Sequence, residues 1–163
     1  TGNLEIGTTG SLTFEGATAN AFETTLAVTD PTADRTVTLP DADLTVAGIN
    51  INQSFSKAQR GTITALTDGA TITPDFSAAN NYSVTLGGNR TFANPTNLTA
   101  GQSGSLVITQ DGTGSRTAAW GSYWKWPGGT APTLTTTANA VDVVAYYVES
   151  ATRITARLIA DVK

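Results

Sequence analysis

Residues 141–160 read VDVVAYYVESATRITARLIA, and this stretch decides the fold class. Residues 141–148 are nearly apolar on both faces of an extended chain, which predicts a strand in the centre of a sheet. Residues 153–160 alternate between apolar and polar, which predicts a strand with one exposed face. Because only the short link 149–151 and Thr152 lie between them, we expect the two strands to form a hairpin.

The rest of the C-terminal region predicts further short strands. Apolar and β-branched residues alternate in them, and turn-forming residues separate most of them. The predicted strands are 62–66, 70–73, 82–86, 105–109 and 118–120, and the turns include Asp68-Gly69, Gly87-Gly88-Asn89, Asp111-Gly112 and Gly128-Gly129. About seven strands spaced by turns are typical of a β-sandwich or jelly-roll-like fold, so residues 61–163 are predicted to form a knob of this kind.

The composition also favours an all-β chain. Threonine accounts for 31 of the 163 residues, and its β-branched side chain suits a strand better than a helix. Cysteine, methionine and histidine are absent from the sequence. The chain therefore forms neither a disulfide framework nor a thiolate metal site. Since it opens at Thr1 and lacks methionine, we expect at least an initiator residue upstream.

Residues 1–48 predict a second unit made of short strands. Each strand has one apolar face, but bulky residues are too few for an independent core. We therefore expect this segment to bury its apolar strips against other copies of itself in an intertwined oligomer. Residues 49–60 are predicted to be a connector, with Phe55 as its one anchor and room for a short helical turn. The strips are centred on Leu12 and Phe14, on Leu26 and Val28, and on Val37 and Leu39, with Pro40 ending the last.

The net charge of −4 is unevenly distributed. Residues 1–50 hold seven acidic residues and one arginine, a charge of −6, whereas residues 51–163 hold six acidic and eight basic residues, a charge of +2. This shift supports a boundary near residue 50. Neither part is basic enough to bind nucleic acid non-specifically, and no apolar run is long enough to span a membrane. Neither a nucleic-acid partner nor membrane insertion is expected.

Signals for catalysis and metal binding are weak. Histidine, the usual base beside a nucleophile, does not occur. The sequence DGTG at 111–114 resembles an aspartic-protease turn only superficially, because an extra glycine breaks the Asp-Thr-Gly spacing, and we interpret it as a hairpin turn. Asp41 and Asp43 could offer two carboxylates to a hard cation, but no third acidic ligand is near them, which favours a solvated turn. We expect no enzymatic activity, no cofactor and no metal.

The segment WGSYWKWPGG at 120–129 stands out from this background. It holds all three tryptophans of the chain, and exposed aromatic clusters commonly bind sugar rings or protein partners. In a fully extended chain the three tryptophans would share one face, although Gly121 disfavours an unbroken strand. The alternative is that the rings fill a core or a subunit interface. The candidate residues for glycan or receptor binding, or for a subunit interface, are Trp120, Tyr123, Trp124, Lys125 and Trp126.

Two series of motifs cover most of the chain. The first is LTFEG (12–16), DPT (30–32), DRT (34–36) and LPD (39–41). The second is LGGNRT (86–91), NPTN (94–97), AGQSG (100–104), ITQD (108–111), GSR (114–116), GSYWK (121–125), PGGTAP (127–132) and ANAVD (138–142). With the second series, residues 59–163 resemble the C-terminal module of tail fibres and related virion surface proteins of tailed bacteriophages. The first series resembles a short β unit that precedes this module.

The resemblance implies a homotrimer on the surface of a phage particle. The N-terminal unit would intertwine or attach to other virion proteins of the tail or capsid, and the C-terminal unit would form a knob. The leading function is a tail fibre that displays the knob to host surface polysaccharide or protein. The alternative is a capsid decoration (cement) protein or a head fibre. A glycan-degrading tailspike would need a long parallel β-helix with stacked carboxylates, for which the chain is too short and too poor in acids.

Overall fold

The computed structural model describes residues 12–15, 17–18, 21–26, 31–39, 41, 52 and 54–163. The chain divides into two compact units, Thr1–Gln53 and Ser54–Lys163. This division lies inside the connector predicted at 49–60, whose described residues form neither helix nor strand. Phe55 is exposed, so it does not anchor the connector within the described part of one chain.

The first unit contains an antiparallel hairpin. Strand β1 is Leu12–Glu15 and strand β2 is Glu23–Leu26, and Leu12 lies opposite Leu26. Because side chains alternate along a strand, Leu12, Phe14 and Leu26 lie on one face. Phe14 and Leu26 are nevertheless 51% and 60% exposed. A two-stranded hairpin with an uncovered apolar face is marginally stable by itself.

The third apolar strip of the first unit does not form a strand. Val37 and Leu39 belong to the described segment 31–39, which has no strand, and both side chains are largely exposed. Val28 and Pro40, which complete two of the predicted strips, lie outside the described residues. Asp41 lies in an exposed bend, whereas its predicted cation-binding partner Asp43 also lies outside the described residues.

The second unit, described in full, holds nine strands. All seven predicted strands are present, with ends shifted by at most two residues, whereas the strands at 90–92 and 124–125 were not predicted. The described residues contain no helix long and apolar enough to cross a membrane. In chain order the elements are β3 (Ile63–Ala65), β4 (Thr71–Ile72), β5 (Asn81–Leu86), β6 (Arg90–Phe92), β7 (Ser103–Gln110), β8 (Ala118–Trp120), β9 (Trp124–Lys125), a 3₁₀ turn (Pro127–Gly129), β10 (Val141–Ser150) and β11 (Arg153–Ile159).

From β3 to β8 the chain alternates between two sheets. Strands β3, β5 and β7 pair in parallel in the first sheet, and β4, β6 and β8 pair in parallel in the second. The chain therefore winds through three stacked coils, each of which contributes one strand to each sheet. A jelly roll instead pairs its strands antiparallel.

The hairpin of β10 and β11 extends the first sheet. Strand β10 pairs antiparallel with both β7 and β11, and β9 adds in parallel to the far edge of β11, which gives the strand order β3-β5-β7-β10-β11-β9. The predicted central position of residues 141–148 and the predicted hairpin are both confirmed.

The two sheets share one hydrophobic core. Alternate residues of β5, β7, β10 and β11 point into it, because their side chains follow the period of two along each strand. The second sheet contributes Ile72 and Phe92, and Phe76 lies among the aromatic rings of the core. The all-β class is confirmed, with two sheets around one core as in a sandwich.

One glycine permits a close approach of two chain segments near this core. A Cβ on Gly104 would collide with the backbone carbonyl of Asn80. That carbonyl accepts hydrogen bonds from the amide of Ser105, at 3.1 Å, and from the hydroxyl of Tyr146, at 2.7 Å. Residue 104 must therefore be glycine for Asn80 to bridge β7 and β10. Burial raises the pKa of Tyr146, so its hydroxyl stays protonated and remains a donor.

Candidate functional site

The tryptophan segment crosses from one sheet to the other. Trp120 ends β8 in the three-stranded sheet, and the amide of Gly121 continues that ladder by donating to the carbonyl of Phe92 at 2.8 Å. The chain then turns, and Trp124 begins β9, which lies at the edge of the six-stranded sheet beside Ile154. An unbroken extended strand is therefore absent from this described segment, as Gly121 indicated.

Asn94 fixes the turn between the two sheets. Its side-chain oxygen accepts a hydrogen bond from the amide of Tyr123 at 2.8 Å, and its amide group donates to the hydroxyl of Ser122 at 3.3 Å. A Cβ on Gly121 would collide with the backbone and side chain of Asn94. The absence of a side chain at residue 121 thus lets the turn lie against the segment that follows β6.

The turn brings the three indole rings together despite the break in the strand. The ring centroids of Trp120 lie 5.3 Å from those of Trp124 and 4.7 Å from those of Trp126, both in edge-on contacts. Trp124 and Trp126 stack at 6.3 Å. On its other side, Trp120 stacks against Phe92 at 4.7 Å. Such aromatic pairs add stability beyond the area that they bury.

The five predicted site residues differ in exposure. Trp124 and Trp126 are buried, at 4% and 8% exposed, so they form part of the core of the unit. Trp120 and Tyr123 are half-buried, and Lys125 is exposed. Two rings therefore fill the core and the other three side chains reach the surface, and binding through these residues stays a prediction.

The indole nitrogens differ in their hydrogen bonding. Nε1 of Trp124 donates to the carbonyl of Ala93 at 3.1 Å. Nε1 of Trp120 and Nε1 of Trp126 are buried and have no acceptor among the described residues. An unpaired buried donor costs roughly 1–3 kcal/mol.

A cleft of about 500 Å³ lies beside the three rings. We call it the tryptophan cleft, and it is lined by Trp120, Ser122, Trp124, Lys125, Trp126 and Arg153, with small residues at 121, 129 and 131. Its two charged residues, Lys125 and Arg153, are both cationic. The described residues that line it include no carboxylate.

Sequence reasoning missed Arg153, which lies 28 residues beyond Lys125. Its position follows from the parallel pairing of β9 with β11, in which Ile154 lies beside Trp124. No local pattern signals this pairing, because β9 has only two residues. Tyr123, which was predicted, does not line the cleft; its carbonyl accepts a hydrogen bond from the amide of Ile154 at 2.9 Å and so holds β11 in place.

The carboxylates of the second unit are all engaged in hydrogen bonds. Asp68 forms a bidentate ion pair with Arg90, at 2.7 and 2.5 Å, and this pair lowers the pKa of Asp68. Hydrogen bonds from Asn97 and Ser77 lower the pKa of Asp75.

The remaining carboxylates of the second unit also accept hydrogen bonds. A hydrogen bond from the hydroxyl of Thr155 and, to a smaller extent, one from Arg153 lower the pKa of Glu149. A hydrogen bond from Arg116 likewise lowers the pKa of Asp111. Buried Asp142 accepts hydrogen bonds from the amides of Thr135 and Asp161, at 2.7 and 2.8 Å. The carboxylate of Asp161 forms an ion pair with Lys163 at 2.6 Å.

These contacts bear on the chemistry open to the unit. A general acid near neutral pH requires a carboxyl whose pKa is raised, whereas the pKa of the four shifted carboxyls is lowered.

The DGTG sequence forms a turn in which Asp111 accepts hydrogen bonds from the amides of Thr113 and Gly114, at 3.1 and 2.9 Å. It joins strands of different sheets, so the predicted hairpin is wrong. Within the described chain, no group of three or more acidic residues could hold a metal ion.

Comparison with known families gave a match within the second unit. Residues 72–149 match the family described as "Putative phage tail fibre C-terminal domain". The matched segment runs from the end of β4 almost to the end of β10, and it includes all five predicted site residues. Neither the curated proteins nor the solved structures gave a match. The family match supports the predicted resemblance to virion proteins of the tail-fibre type and the predicted location in the phage particle.

Proposed function

We propose that the protein is a trimeric, non-enzymatic surface fibre of the phage tail, which displays its C-terminal unit to the host surface. The observation that carries this proposal is the match of residues 72–149 to a tail fibre C-terminal domain. A terminal domain of a fibre is the part most exposed to a partner. The polysaccharide or protein of the host surface is the partner that such a position favours.

The trimer is supported by the exposed apolar side chains of the first unit. Burial of one such side chain is worth about 1.5–3 kcal/mol, so a segment that leaves several of them in water gains much from association. Identical strips from other copies would cover them, as closed symmetry allows. The exposed side chains are Phe14, Leu26, Val37 and Leu39, between 51% and 86% exposed.

The non-enzymatic role is supported by the electrostatics of the second unit. Its carboxylates all accept hydrogen bonds, four of them have a lowered pKa, and the sequence holds neither histidine nor cysteine. Asp68, Asp75 and Asp142 each hydrogen-bond to a residue about twenty positions away, so they hold separate segments of the unit together.

The molecular mass in solution tests the trimer. We expect sedimentation equilibrium of the full chain to give three times the 16.8 kDa mass of one chain. A monomer that stays folded at micromolar concentration would contradict the trimer.

A capsid decoration protein or head fibre is the second candidate. Its support is the charge of −6 on the first fifty residues, which could contact basic patches of neighbouring capsid subunits. Copy number separates the candidates, because a decoration protein occurs in hundreds of copies per particle and a tail fibre in tens or fewer. Gel densitometry of purified particles against the major capsid protein should give the lower number.

A further inference from the structure

The tryptophan cleft is cationic in an acidic protein. The chain carries a net charge of −4, yet the charged residues that line the cleft are Lys125 and Arg153, and the described lining residues include no acid. A concave site of one sign attracts ligands of the opposite sign. Arg153 is paired with Glu149, which does not line the cleft, so the uncompensated charge there is that of Lys125, and it favours an anion.

Both cations keep donors available for a ligand. Lys125 donates one of its three ammonium hydrogens, to the carbonyl of Ser122 at 2.7 Å. Arg153 donates through Nε to Glu149 at 2.7 Å, and its two Nη groups have no partner in the described chain. Glu149 also accepts a hydrogen bond from the hydroxyl of Thr155, so it does not depend on Arg153 alone.

The same cleft offers aromatic surface. Trp126 is 8% exposed, and its Nε1, like that of Trp120, is buried. Trp120 is only half-buried, so part of its ring remains available. A ligand that fits this combination has an apolar face for the ring of Trp120, an acidic group for the cations, and hydroxyl oxygens that accept from the remaining N–H groups of those cations.

We propose that the tryptophan cleft binds an acidic sugar residue of a surface polysaccharide. The acidic group pairs with Lys125 and with the free Nη groups of Arg153, and the sugar ring lies against Trp120. The acidic group is a carboxylate, sulfate or phosphate, since all three present the same anionic oxygens. This assignment rests on the proposed contact with the host surface and names the chemical class that the contact recognises.

Tryptophan fluorescence tests the assignment directly, because all three tryptophans of the chain lie at the cleft. The full chain is titrated with a uronic-acid oligosaccharide, with its methyl ester, with sulfated and phosphorylated oligosaccharides, and with a poly-glutamate peptide. We expect saturable fluorescence changes with at least one acidic oligosaccharide and an affinity at least tenfold lower for the neutral ester. Equal binding of the ester, stronger binding of the peptide, or no binding of any acidic oligosaccharide would overturn the proposal.

Two variants and a matched control locate the binding site. Lys125→Gln and Arg153→Gln should each lower the affinity about tenfold without changing the oligomeric mass. Arg157→Gln is the control, because Arg157 lies on the same strand as Arg153 and is exposed but does not line the cleft. An equal loss in the control would indicate a general charge effect and would overturn the site.

Adsorption to host cells separates this proposal from the function on which it rests. Protein that adsorbs normally with both cations replaced would overturn the cleft assignment and leave the fibre function intact. Unmodified protein that neither adsorbs nor competes with phage would contradict the fibre function itself.

Discussion

Gly104 and Gly121 each occupy a position where a side chain has no room. Gly104 lies against the carbonyl of Asn80, and Gly121 lies against Asn94. Neither has a positive φ, so space and not backbone conformation requires glycine there. At these positions a single methyl group would push apart two segments that hydrogen bonds hold together.

Replacing Gly104 with alanine should therefore destabilise the second unit. Overpacking typically costs about 1–3 kcal/mol, and displacement of Asn80 also weakens its bond from Tyr146. Urea unfolding followed by tryptophan fluorescence reports on this unit, because it holds all the tryptophans. Gly112→Ala is the control, since a Cβ there meets nothing within 4 Å. Equal midpoints for the two variants would contradict the packing.

The ion pair of Asp68 with Arg90 gives stability a defined dependence on pH. A carboxyl whose pKa is lowered on folding stabilises the folded state above its unfolded pKa, and this contribution is lost as the pH falls through the folded value. Asp68, Asp75, Asp111 and Glu149 all have a lowered pKa. The urea concentration at the midpoint of unfolding should therefore decrease as the pH is lowered below about 4, where free carboxyls titrate.

Asp68→Asn and Arg90→Gln should each reduce the loss of stability on acidification. The first removes the titrating group, and the second removes the partner that lowers its pKa. Urea midpoints measured between pH 6 and pH 3 provide the comparison. A midpoint that rises on acidification, or a slope unchanged in both variants, would be inconsistent with the ion pair.

At the scale of elements, the sequence predicts the strands well but not how they pair. Residues 81–86 alternate between buried and exposed positions, so their period of two identifies a strand. The same period fits parallel and antiparallel neighbours, whereas the parallel register of β5 with β7 depends on residues 24 positions apart. The parallel pairing that produces the coiled path therefore cannot be predicted from local sequence patterns. Strands β6 and β9 are too short, at three and two residues, to show any period.

The candidate site shows the same division between local and distant information. The tryptophans are close in the sequence, so their clustering could be foreseen, although a turn and not a single strand brings them together. Arg153 enters the tryptophan cleft only through the pairing of β9 with β11. Trp124 packs against Phe76 and Trp120 stacks on Phe92, and both phenylalanines lie far from the tryptophans in the sequence.

Gly121→Ala tests the crossing between the sheets. The added methyl group should move the turn away from Asn94, expose Trp124 and Trp126, and shift tryptophan emission to longer wavelength. Ser122→Ala is the neighbouring control, because it loses only the 3.3 Å hydrogen bond from Asn94. Unchanged emission in Gly121→Ala would show that the turn does not position the rings.

At the scale of the whole molecule, the two units differ in how they become stable. The second unit buries a continuous core of its own, whereas the first leaves large apolar side chains in water. This difference agrees with the proposed fibre, in which association would stabilise the first unit whereas the second unit has its own core. The family match to residues 72–149 lies within the self-sufficient unit.

Phe14→Ser and Leu26→Ser should weaken the trimer without affecting the second unit. Each removes part of the apolar face that we expect other copies to cover, so the trimer should dissociate at a concentration at least tenfold higher than the parent protein does. Thr13→Ser is the control, because Thr13 lies on the opposite face of the hairpin. Sedimentation measures the trimer, and tryptophan emission monitors the second unit. A trimer as tight as that of the control would contradict the association through this face.

Gold-labelled antibody fragments against the second unit, applied to intact phage particles, test the central claim most directly. The account predicts label at the tail fibres and a loss of adsorption to host cells when the fragments are bound. Label spread over the head, or label that appears only after particles are disrupted, would contradict a tail fibre that displays this unit to the host.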